Sequence, residues 1–147
     1  MTIRSFNIAD QDALIDIFML NVPRYFALKE VNDFEQYLSQ HSETYLTIEH
    51  EGKIIGGTGY YVNISDKSGR ITWIFFHPDA RGSGAGKMAV EYCINILKAD
   101  QWVNKLVVTT SQLAFKFFEK FGYELVKTEK DYGGVGLDLY LMEQPNN

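Results

Sequence analysis

HPDARGSGAGKMAVEYC, residues 77–93, sets Gly82, Gly84 and Gly86 directly between an apolar run and a helical pattern. A strand that ends in a glycine-rich turn and feeds a helix presents unpaired backbone N–H groups and the positive end of a helix dipole to an anion. Upstream, Arg70 to Phe76 is a continuous apolar, β-branched and aromatic run, which predicts a central strand buried on both faces. Downstream, Ala89, Cys93 and Ile96 recur at helical spacing beside Val90, Ile94 and Leu97, so a helix from Ala85 to Ala99 lays its apolar side on a sheet.

Working outward, Ile3 to Phe6 predicts a short strand, and Asp10 an N-cap for a helix through Leu20 with Ala13, Leu14, Ile17 and Phe18 on one face. Pro23 ends that helix, and Asn32-Asp33 starts a second one bearing Phe34, Tyr37 and Leu38. Tyr45–Glu49 and Lys53–Val62 form a hairpin on Glu51-Gly52, with the next turn at Ser68-Gly69. Lys105–Thr110 is a strand, and Gln112–Phe121 an amphipathic helix stopped by Gly122. Tyr123–Lys127 and Leu137–Glu143 are strands around a Gly-rich turn. The order β α α β β β α β α β β, without repeats or an interdomain linker, predicts one mixed α/β domain spanning residues 1–147.

With 46% apolar and 22% charged residues in 147, the composition is that of an ordinary globular domain. No run of about 18 apolar residues occurs, and the N-terminus lacks a secretory layout, so a cytoplasmic location with no membrane partner is expected. Cys93 stands alone, which excludes an internal disulfide and marks it as core. His41, His50 and His77 lack ligand spacing, so no metal is expected. A net charge of -5 argues against nucleic acid and tolerates a cationic substrate. A homodimer is the expected assembly on the general frequency of dimers.

Three ligands compete for the glycine loop. A P-loop needs GxxxxGK[ST], but counting back from Gly86-Lys87 the first glycine position is Arg81, and Met88 stands where Ser or Thr would bind magnesium. A dinucleotide loop, GxGxx[GA], is satisfied literally by Gly84–Ala89, yet no acidic residue follows where Leu106–Thr110 ends, and the loop follows the fourth strand, not the first. The third reading fits at more positions. Arg81-Gly82-Ser83-Gly84-Ala85-Gly86 resembles the [QR]-x-x-G-x-[GA] loop of the GNAT superfamily of N-acyltransferases, which grips the pyrophosphate of coenzyme A. Phe76-His77-Pro78-Asp79 resembles that family's strand exit, and Ala114 to Tyr123 its A-x-x-[FL]-Y-E-K-x-G-[FY] segment.

The resemblance implies an α+β fold, a mixed but mostly antiparallel sheet of six to seven strands, flanked by about four helices, whose central strands splay. It implies that acetyl-CoA is the co-substrate, with pyrophosphate on the amides of Gly82, Ser83, Gly84, Ala85, Gly86 and Lys87 beside Arg81. The edge of Ile74, Phe75 and Phe76 would pair with pantetheine, and an amide near Phe75 or Phe76 would serve the thioester oxygen. Two departures stand out: Phe118 occupies the place of the family's frequent Tyr acid, and Ser111 that of a frequent Asn. Ser111 is therefore the candidate proton donor to the sulfur, with a helix N-cap as its structural alternative. Arg70 stands where some relatives carry a basic carboxylate, leaving Glu30, His77 and Tyr132 as candidate bases, with His77 more in keeping with a surface residue. Residues 23–30 would shape the acceptor pocket, with Tyr25, Phe26, Glu30 and Trp73 as its wall and Tyr132, Gly133, Gly134 and Gly136 as cover. The expected reaction is acetyl transfer to a primary amine of a small molecule or peptide. The rival readings are a non-catalytic acyl-CoA sensor of the same fold and a dinucleotide-binding domain.

Overall fold

A computed structural model describes residues 1–147. The strands are β1 (Thr2–Ser5), β2 (Tyr45–His50), β3 (Lys53–Asn63), β4 (Ser68–Phe76), β5 (Lys105–Thr110), β6 (Glu124–Gly134) and β7 (Leu137–Pro145). The helices are α1 (Gln11–Met19), α2 (Glu30–Gln40), α3 (Ala85–Lys98) and α4 (Phe115–Glu119). The strands form one mixed sheet in the order β1-β2-β3-β4-β5-β7-β6, in which β4 and β5 are parallel. The element order is the one expected from sequence. By internal contacts the chain divides into two compact units, Met1–Gly59 with Trp73–Ala89, and Tyr60–Thr72 with Val90–Asn147.

In the first unit, the antiparallel ladders β1–β2 and β2–β3 carry α1 and α2. Leu14, Ile17 and Phe18 from α1, Phe34 and Leu38 from α2, Tyr45 and Phe75 form one buried cluster. Phe18 stacks on Phe34 at 5.0 Å and meets Phe75 edge-on at 5.3 Å. Burying each such ring contributes about 1.5–3 kcal/mol, which holds the helices to the sheet despite their modest length. The Glu51-Gly52 turn has φ of 52° and 78°, the left-handed pair that a two-residue hairpin needs.

In the second unit, β5 pairs in parallel with β4 over Ser68–Ile71 and antiparallel with β7 from Lys105–Pro145 to Thr110–Tyr140. Val90, Cys93, Ile94 and Leu97 of α3 are buried, as are Leu106, Val107 and Val108 of β5. Gly69 lets α3 approach β4: a Cβ there would stand 3.0 Å from Leu97.

Several boundaries differ from expectation, each for a local reason. Asp10 stands at the N-cap position of α1 as expected, but its side chain makes no capping bond there. Asn7 caps the preceding 3-10 turn Ile8–Asp10, while the Asp10 carboxylate takes two 2.8 Å bonds from Arg4 and others from the Asn7 amide and Thr47. Arg4 also pairs with Glu49, and its guanidinium holds the Asp10 pKa down to about 2. The second helix starts two residues early, at Glu30, whose carboxylate accepts the Ala27 amide at 2.7 Å. Ser68 and Gly69 belong to β4, because Ser68 is fully buried and the turn closes earlier, on Asp66 and a left-handed Lys67. The predicted helix Gln112–Phe121 shrinks to α4, since the Ser111 carbonyl and hydroxyl take the amides of residues 113–115 in a turn. The last hairpin is longer than predicted. Tyr132, Gly133 and Gly134 lie on β6, and only Val135-Gly136 separates it from β7.

Candidate functional site

The glycine loop is built almost wholly from main chain. His77 closes β4 by donating its amide to Ile55 O at 2.8 Å, and its Nδ1 accepts the Asp79 amide, starting the 3-10 turn Pro78–Ala80. Ser83 N bonds to Ala80 O, and Met88 N to Gly84 O at 3.0 Å, the first helical bond of α3. Gly82 and Gly84 sit at φ of 81° and 87°, where a side chain is strained, and nothing lies within 4 Å of where a Cβ would stand. The amides of Gly82, Gly84 and Gly86 have no acceptor in the chain. Open space over unpaired amides at the start of a 14-residue helix fits a diphosphate.

The end of β4 is shaped by close approaches. A Cβ on Gly56 would overlap Phe75 O, and one on Gly57 would overlap the Tyr45 phenol, so the glycine pair admits both. Tyr45 Oη then donates to Trp73 O at 2.9 Å, at a residue held at φ 49° inside the strand. A bulky residue there is a true backbone outlier, and such strain persists only where surroundings impose it. The Asn21 carboxamide, buried at the end of α1, donates to Ile17 O and Phe76 O at 3.0 Å each. It thereby ties the segment after α1 to the end of β4.

Of the predicted acceptor wall, Phe26 and Trp73 come together, near parallel at 6.4 Å. Trp73 also neighbours Phe34 at 5.3 Å and Tyr37 at 6.0 Å. Burial raises the pKa of Glu30, although its carboxylate is already engaged by the Ala27 amide. Tyr25 turns to the glycine loop instead: its hydroxyl accepts from Arg81 at 2.9 Å, and the Arg24 guanidinium lies 5.3 Å from its ring centre.

Ser111, Phe118 and Tyr132 belong to the second unit. Ser111 Oγ accepts the Leu113 amide at 3.2 Å in the turn before α4, whose N-cap is Ala114, so Ser111 is not the helix cap expected as its structural alternative. Phe118 is 3% exposed and meets the Tyr123 ring edge-on at 5.9 Å. The Tyr123 hydroxyl is buried without a hydrogen-bond partner, and burial raises its pKa. Tyr132 is 64% exposed. Beside Ser111, Gln112 donates through Nε2 to Gly136 O at 2.5 Å and accepts the Asp138 amide at 3.0 Å. Its carboxamide imitates a peptide group and continues the ladder along β7 after β5 turns away.

Sequence reasoning missed Tyr45, Asn21 and Gln112, and did not use Gly56-Gly57. Adjacent glycines inside a strand do signal a close backbone approach. The carboxamides carry no comparable mark, because their partners are backbone atoms far along the chain.

The chain belongs to the Acetyltransferase (GNAT) family, whose sequence profile matches residues 12–123. No curated protein matches it by sequence. Among solved structures it is similar to a ribosomal-protein-alanine N-acetyltransferase from Brucella melitensis, at 21% identity over 99% of each chain and a TM-score of 0.78. It is also similar to a phosphinothricin acetyltransferase from Sinorhizobium meliloti in complex with acetyl-CoA, at 20% identity, 98% of this chain and 87% of that one, TM-score 0.79. An aminoglycoside 6'-N-acetyltransferase complexed with coenzyme A matches at 16% identity, 100% and 98% coverage, TM-score 0.77. At these identities the likeness carries the fold. No helix is long and apolar enough to cross a membrane.

Proposed function

We propose that residues 1–147 act as one catalytic domain that passes acetyl from acetyl-CoA directly to a primary amine of a small molecule or peptide. The observation that carries this reading is the open row of unpaired amides at Gly82, Gly84 and Gly86, at the start of α3 in a family of acetyltransferases.

Acetyl-CoA supplies a thioester activated for attack by an amine. The loop amides and Arg81 hold its diphosphate, and the Ile74–Phe76 edge receives the pantetheine arm. A β4 amide near Phe75 or Phe76 donates to the carbonyl oxygen as charge develops there. An alkylammonium has a pKa of about 10.4 and must lose a proton before attack. Glu30 is the candidate base whose burial favours proton uptake, and Phe26 with Trp73 supplies an apolar wall that disfavours the ammonium form. Ser111 is the candidate to return a proton to the leaving sulfur. A thiol pKa near about 8.5 leaves that step worth only about 2 kcal/mol at neutral pH, so loss of the family's tyrosine does not abolish transfer.

Phe118 favours a second reading, an acyl-CoA sensor without turnover, because its buried ring offers no proton. A thiol-release assay with acetyl-CoA and a panel of primary amines separates the two. Release that depends on an amine supports transfer, and binding of acetyl-CoA without release from any amine supports the sensor.

A further inference from the structure

Two cations meet at Tyr25 with no acid to balance them. Arg81 donates to the Tyr25 hydroxyl, and the Arg24 guanidinium lies 5.3 Å from the centre of the same ring. Neither guanidinium has a carboxylate partner, although the chain carries 19 Asp and Glu against 14 Lys and Arg. The chain's other arginines, Arg4 and Arg70, are paired with Asp10 and Glu49, and with Asp66. In an acid-rich protein, two arginines set on one tyrosine without a carboxylate leave their charge for an anion to balance.

The surrounding backbone holds this arrangement in place. The amides of Tyr25 and Phe26 both bond to Asn21 O, and the buried Asn21 carboxamide is fixed to Ile17 O and Phe76 O. The segment carrying Arg24 and Tyr25 is thus anchored to the end of the strand that leads into the glycine loop. Arg81 directly precedes Gly82, the first of the unpaired amides. The Tyr25 hydroxyl accepts from Arg81 and still has its own proton to donate.

We infer that Arg24 and Tyr25, together with Arg81, form a phosphate subsite for coenzyme A, outside the amides that hold the diphosphate. This inference rests on the proposed function and deepens it. It moves Tyr25 from the acceptor wall to the carrier side, and adds Arg24, which no motif marks. The subsite binds a phosphate oxygen through guanidinium N–H groups and the phenol, an arrangement suited to a dianion. Two groups of the carrier share that chemistry, the 3'-phosphate and the diphosphate.

Calorimetric titration of coenzyme A and dephospho-coenzyme A into the wild-type protein, Arg24→Gln, Tyr25→Phe and the control Lys53→Gln tests it. Arg24→Gln is expected to weaken coenzyme A about 10-fold and to flatten the salt dependence of binding. Tyr25→Phe is expected to weaken it about 3-fold, and Lys53→Gln to stay within about 2-fold. An Arg24→Gln loss confined to coenzyme A assigns the subsite to the 3'-phosphate, and an equal loss with both ligands assigns it to the diphosphate. Wild-type binding of coenzyme A that Arg24→Gln leaves within about 2-fold overturns the inference alone. No binding to the wild-type protein overturns the proposed function and the subsite together. Arg24 is exposed, and unfolding midpoints without ligand confirm that each variant folds.

Discussion

The glycine loop, Arg81–Lys87, and the turn after β5, Ser111–Phe118, are the two stretches that the family resemblance marks for chemistry, and they are built in opposite ways. The loop offers main-chain amides, with glycines at φ 81° and 87° and open space above them. The β5 turn offers side chains, and its own structure already uses them. Ser111 Oγ holds an amide, Gln112 bridges to β7, and Phe118 is packed against Tyr123. A ligand site made of backbone depends on a few conformational requirements that a motif can record. A proton-transfer site made of side chains can be rebuilt residue by residue while the fold stays.

The largest expected effect breaks the loop. Gly84→Asp places a Cβ at φ 87° and a carboxylate in the proposed phosphate cradle, and calorimetry should show coenzyme A affinity falling more than about 100-fold. Gly52→Asp, at φ 78° in the β2–β3 turn with equally open space, carries the same kind of backbone strain and should leave affinity within about 2-fold. Equal losses in both variants would mean that strain, rather than the site, sets the effect.

Next comes the ion pair that frames the first unit. Asp10 has its pKa lowered to about 2 by Arg4, so its contribution is present above the unfolded value of 3.8 and is lost as pH falls through about 2. Denaturant titration should find Asp10→Asn less stable by about 2–3 kcal/mol at pH 7, with the gap closing toward pH 2. A gap that does not change with pH would contradict this assignment.

Ser111→Ala tests the second region. Turnover should drop about tenfold while acetyl-CoA affinity stays within about 2-fold, since the hydroxyl is assigned to the leaving sulfur. Unchanged turnover would leave Ser111 its role in the turn alone. The smallest effect has the opposite sign. Tyr123→Phe removes a buried hydroxyl with no partner and should raise stability by about 1 kcal/mol in urea unfolding. Destabilisation would reveal a partner for that hydroxyl.

The same contrast explains what was legible in the sequence. Element order followed from apolar periodicity, and Gly52, Gly82, Gly84 and Gly122 mark turns because only glycine takes left-handed φ without strain. Boundaries slipped where a side chain competed with the pattern: Ser68 was drawn into β4, and Gln112 out of helix onto β7. Trp73 at φ 49° was not legible, because its conformation depends on Tyr45 reaching across Gly57. The meeting of Tyr25 and Arg81, 56 residues apart, was equally hidden.

The most direct measurement is thermal unfolding with acetyl-CoA, coenzyme A, NAD and ATP, each at about 100 times a micromolar Kd. Specific binding then adds about 2.7 kcal/mol and raises the midpoint by roughly 5–10 °C. The account predicts that rise with acetyl-CoA and coenzyme A alone. A rise with NAD or ATP alone would contradict it.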